Sequence, residues 1–218
     1  MVKVNALVPK KSNTPAAAAP TSALDLITAF ANETASAGGF AGRRLKFAKG
    51  DFLFGDTSEQ LALGTKLIAD VRSIKHGSVT WVDNKPDDSN MKLLITGERP
   101  LPRDQLGLQD RSQWEVGLDG QPRDPVQATM SIDFYPTDLG RPVTESDRYH
   151  FQATSFGGRK AIQQLAKDFV EYAKFNGGDE CNESPVIELS INSYQHSNKA
   201  FGRIKEPLFT VTDWVVTG

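Results

Sequence analysis

The chain predicts a mainly β fold: a β-rich α+β domain built as a small OB-like barrel with one packed helix. Three observations carry this reading. Short β-branched and aromatic runs recur between Gly, Pro, Asn and Asp punctuation over residues 45–154. A single later segment, 160–175, has helical apolar spacing. Two more strand-like runs follow it, 186–191 and 208–216.

Residues 1–42 read as a flexible arm, with Pro and Ala clustered over 14–20. A short helix is expected at 22–33, where Ser22 and Asp25 have capping-box spacing and Leu24, Ile27, Phe30 and Ala31 form a stripe. Residues 43–218 then form one domain. Gly50 and Asp51 separate two strands at 45–49 and 52–54. Further strands are expected at 66–71, 79–82, 91–95, 128–135 and 149–154. The stretch 97–127 lacks periodicity and reads as a long irregular excursion. In 160–175, Ile162, Leu165, Ala166, Phe169, Val170 and Ala173 share one helix face; Gly157 and Gly158 precede it and Asn176, Gly177 and Gly178 stop it. In 186–191, Ile187, Leu189 and Ile191 alternate inward.

The net charge of -2 over 218 residues gives no bulk attraction to a polyanion, but the charge is segregated. Arg43, Arg44, Lys46 and Lys49 occur without an acid over 43–49, and Asp179, Glu180, Glu183 and Glu188 without a base over 179–188. The single cysteine, Cys181, fits a reducing compartment, and neither a signal-peptide core nor an apolar run long enough to span a membrane is present. The expected location is cytoplasmic.

Three segments are candidate nucleic-acid contacts. On an extended 194–205 segment, Lys199, Phe201, Arg203 and Lys205 share one face, with Tyr194 and His196 nearby. Cations that neutralise phosphates and rings that stack on bases are the elements of single-strand binding. The second candidate is Arg159 with Lys160, just after Gly157 and Gly158 at a helix start, where free N–H groups attract anions. The third is Arg44, Lys46, Lys49 and Phe52. Trp81 and Trp114 read as structural anchors. His76, His150 and His196 are far apart in sequence, Asp83, Asp87 and Asp88 lie in a turn, and no catalytic, P-loop or metal-spacing motif occurs. A non-catalytic protein without a cofactor or metal is expected.

Several short motifs are spaced in a recognisable way: Gly50, Asp51 and Phe52; Leu63, Gly64 and Thr65; Trp81 with Lys85 and Pro86; Trp114 and Glu115; Gln121 through Pro125; Ser193 and Tyr194; and Gly202 through Lys205. Over roughly 45–216 the chain resembles a group of uncharacterised phage and prophage proteins. The resemblance implies work inside a bacterial host, and phages commonly encode single-stranded DNA-binding proteins. Typical bacterial single-strand binding proteins end in an acidic tail; this sequence ends in the strand-like run 213–218. The expectation is a phage protein that binds single-stranded DNA in replication or recombination, with phage or host replication proteins as further partners. The competing expectation is a protein-binding module, a virion component or an inhibitor of a host defence, using 97–127 and the N-terminal helix.

Overall fold

The computed structural model describes residues 43–82, 85–117, 120–139, 141, 143–195, 197 and 202–217. The expected arm and helix at 1–42 lie outside them. The elements are β1 (Arg43–Ala48), β2 (Asp51–Phe54), β3 (Glu59–Leu61), β4 (Lys66–Val82), β5 (Lys85–Leu93), β6 (Val126–Pro136), β7 (Tyr149–Ala153), α1 (Phe156–Phe175), β8 (Glu183–Gln195) and β9 (Arg203–Val216). They build one nine-stranded sheet in the order β3-β2-β1-β7-β6-β4-β8-β9, with β5 added on β4. Neighbours are antiparallel except β1 and β7, which run parallel. The sheet curls into a half-barrel with one helix packed on it, as the mainly β reading anticipates. It carries more strands than the five of an OB barrel.

Alternation along the strands puts Leu45, Phe52, Phe134, Phe151, Ile187 and Leu189 on one buried face. The curl brings Phe209 of β9 against Phe52, Phe134 and Phe151, with ring centroids 6.2, 5.1 and 5.3 Å away. Edge-to-face aromatic packing of this kind adds to simple burial. α1 closes the core with Ala161, Ile162 and Leu165. Near its C-terminal end Tyr172 stacks on Trp214 at 3.6 Å and donates to a Glu183 carboxylate oxygen at 2.5 Å.

The strands expected at 91–95, 186–191 and 208–216 begin earlier, at Lys85, Glu183 and Arg203, so Asp87 and Asp88 lie in a strand and not in a turn. Two further differences have local reasons. α1 starts at Phe156, because the Ser155 hydroxyl accepts from Gly158 N at 3.2 Å and caps the helix. Gly157 and Gly158 are therefore inside its first turn. The strands expected at 66–71 and 79–82 are one 17-residue strand, β4. Between Asp70 and Lys75 its pairing with β6 is interrupted by a bulge. The bulge is held by Ser73, whose hydroxyl donates to Asp70 O at 2.6 Å and accepts from Asp133 N at 2.8 Å.

The excursion after β5 is organised by one side chain. Arg103 donates twice to the Asp124 carboxylate, at 2.8 and 2.9 Å, and to the carbonyls of Gly107 and Leu108 at 3.0 and 2.9 Å. Trp114 donates to Leu108 O at 2.8 Å, while Arg103 and Arg111 lie 5.7 and 5.6 Å from its ring centre. Trp114 is thus a loop anchor, as its sequence setting indicates. Asn90 of β5 clamps the start of the excursion through two hydrogen bonds with the Leu101 backbone.

Candidate nucleic-acid interface

The β1–β2 turn and the start of β9 meet at one end of the half-barrel. The Lys205 side chain lies over Gly50 of that turn, next to the exposed Lys49. Arg203, two residues earlier and on the same strand face, is exposed and donates to Ser193 Oγ at 3.1 Å. Tyr194, on the partner strand, is 40% exposed but pairs with Ile204, so alternation turns it to the opposite face of the hairpin from Arg203 and Lys205 and it does not join their groove. Gln195 donates to Gly202 O at 3.0 Å, holding the ends of β8 and β9 together. The nearby Asp51 carboxylate accepts from Gln60 at 3.0 Å. Lys199, Phe201 and His196 lie outside the described residues.

Other members of the expected groove fall elsewhere. Phe52 is 0% exposed and packs on Phe47 at 5.0 Å between ring centres. It is a core residue and not a stacking platform, because β2 turns it to the same side as Leu45. Arg44 and Lys46 are exposed on the opposite face of β1 from Leu45 and Phe47. Lys205 shares the face of β9 that carries Phe209, so these two cations do not share its groove. The basic run 43–49 is therefore divided, and only its turn residue, Lys49, joins Lys205.

The helix N-terminus is also not an open anion site. Glu206 is 7% exposed and packs against Gly157 in the first turn. A Cβ on Gly157 would lie 2.6 Å from Glu206 Cγ, so the glycine makes room for this carboxylate. The chain thus supplies its own negative charge to the positive helix end. Lys160 is exposed on that first turn, whereas Arg159 is half-buried and lines a cleft further along the helix.

Sequence reasoning missed one aromatic side chain here. Phe156, 70% exposed at the helix start, is an unclaimed aromatic surface beside Lys160. Its only sequence signal is its place directly after the cap. Arg43 sits 5.6 Å from the Phe54 ring centre and 5.9 Å from that of Tyr149, so it acts as a local brace.

On the outer face of the sheet, cross-strand register aligns Asp70, Asp133, His150 and Arg44 in one row. Asp133 bonds His150 Nδ1 at 2.6 Å and meets Arg148 at 3.4 Å, and Arg148 also pairs with Glu145 at 3.1 Å. Burial pushes the Asp70 carboxyl above its ordinary value, against hydrogen bonds from the Arg72 and Ser73 backbone, and the Asp133 charge adds to the rise. The row does not line the clefts flanking α1. Among the described residues, no cluster of three or more His, Cys, Asp or Glu is placed to hold a metal ion, and no helix is long and apolar enough to cross a membrane. No protein-family model, curated protein or solved structure matches this chain.

Proposed function

We propose that this protein binds single-stranded DNA, without catalysis, at the end of the half-barrel formed by the β1–β2 turn and the β8–β9 hairpin. The observation that supports it is the placement of Lys205 over Gly50, which gathers Lys49, Lys205 and Arg203 from two distant segments. Cations at strand spacing suit a flexible phosphate backbone. The acid nearest in sequence, Glu206, is buried under the helix and leaves the cations exposed. With the resemblance to phage proteins, this reading assigns the molecule to replication or recombination of phage DNA in a bacterial host cytoplasm.

The test is fluorescence anisotropy with labelled single-stranded and duplex oligonucleotides at two salt concentrations. Single strands should bind more tightly, and more weakly as salt rises. Lys205→Glu should weaken binding and flatten the salt slope by about 0.7 for each phosphate that the protein no longer neutralises. An unchanged slope overturns the proposal. A protein-binding module is the second reading, favoured by Ile95, Leu101 and Val116, which are 62%, 54% and 69% exposed on and beside the excursion. It predicts that oligonucleotides of either kind fail to bind at low salt.

A further inference from the structure

A cleft beside α1 belongs to neither the cationic end nor the outer polar row. It has a volume of about 940 Å³ and lies between α1, the adjoining parts of β4 and β6, and the Arg103-centred excursion. That is the size of a small-molecule site. Its construction can be followed from the sequence. Gly77 of β4 sits in close contact with the Asn90 carbonyl of β5, at a distance that excludes a side chain. Asn90 then holds Leu101 by two hydrogen bonds, which fixes one wall. Arg103 and Asp124, joined to each other, fix the mouth. The opposite wall is a single face of α1, since Arg159, Gln163, Ala166 and Lys167 follow at helical spacing.

The lining has two chemical parts. Pro100, Leu101, Leu106, Met130 and Ala166 give an apolar surface. Arg159, Lys167 and His76 face it with nitrogen donors, and Asp124, the one acid among the described lining residues, is already bonded to Arg103. Arg159 Nε is shielded from solvent and has no hydrogen-bond partner among the described residues. With Arg103 and Asp124 offsetting each other, Arg159 and Lys167 leave the lining net positive, which an anionic group would match. An apolar body with an anionic group matches both parts.

We propose that this cleft binds a nucleoside phosphate, with the phosphate at Arg159 and Lys167 and the base against the Leu101 and Met130 side. The site is separate from the proposed strand-binding end. Calorimetric titration of the full chain with dTMP, thymidine and inorganic phosphate tests it. dTMP should saturate the protein, and thymidine and phosphate should each bind at least about tenfold more weakly, the scale of one charge-assisted contact. Lys167→Gln and Arg159→Gln should each weaken dTMP about tenfold. Gln163→Trp, at an exposed position, should fill the cleft and abolish binding. If Arg159→Gln fails to fold, the two exposed-site variants still decide the matter. Competition by short oligothymidylates with and without a 5′-phosphate shows whether the occupant is a strand end or a free nucleotide, and displacement by either supports the site. Absence of saturable dTMP binding, or binding unaltered in Lys167→Gln and Gln163→Trp, overturns it. Labelled-oligonucleotide binding is read separately: dTMP binding without it keeps the cleft and removes the proposed function, and the converse does the reverse.

Discussion

At the residue scale, Asp70 is a charge the fold tolerates at a cost. It faces Asp133 across the strand pair, with the Arg72 backbone N–H at 3.1 Å as an opposing influence and Tyr135 nearby. Its carboxyl is raised, so the folded protein binds this proton more tightly than the unfolded chain does. The contribution of Asp70 to stability therefore falls as pH rises from the ordinary aspartate range, near 3.9, through the raised folded value. Asp70→Asn keeps an oxygen to accept from Arg72 and removes the charge. Its melting temperature should exceed that of the parent at neutral pH, and the difference should shrink as pH falls toward 4. A difference that widens on acidification would show that Asp70 is stabilised by a partner cation instead.

At the scale of elements, the excursion stands or falls with Arg103. Burial works against ionised Asp124, but the Arg103 hydrogen bonds prevail and hold its carboxyl below the ordinary value. Arg103→Ala should cost about 1–3 kcal/mol, the usual penalty for leaving a hydrogen-bonded partner unsatisfied. The loss should be local. Amide exchange over 97–125 should accelerate while β6 and α1 keep their protection, and uniform acceleration would mean that the excursion supports the core. This element also shows what the sequence could reveal. The β1–β2 hairpin was legible because Gly50 and Asp51 punctuate it, and α1 because its apolar positions recur at the helical period. The continuity of β4 was not, because its bulge depends on a bond between Ser73 and Asp133, distant in the chain. The candidate groove was legible only in part. The alternation that places Arg203 and Lys205 together is local, but which face of β2 is inward depends on Phe209. Likewise, adjacent Arg159 and Lys160 point about 100° apart on a helix and so serve different surfaces. Nothing local pairs Glu206 with Gly157.

At the scale of the whole molecule, the half-barrel is held by contacts between distant parts of the chain. β1 leans on β7, β4 on β8, and the ring of Phe209 on three strands that precede it. The hairpin of β8 and β9 and the pairing of β4 with β5 are the more local pieces. The parallel contact of β1 with β7 joins Leu45 to Phe151, about a hundred residues apart. That separation bears on the order of events in folding. Closing so long a loop has an entropic cost that only late packing offsets, and folds dominated by such pairings form on millisecond-to-second timescales. Refolding followed by pulsed amide exchange should therefore protect the β8–β9 hairpin and α1 before β1. Leu45→Ala should then speed unfolding with little effect on the folding rate, because its contacts are absent from the transition state. If the folding rate falls instead, this parallel contact would belong to the folding nucleus.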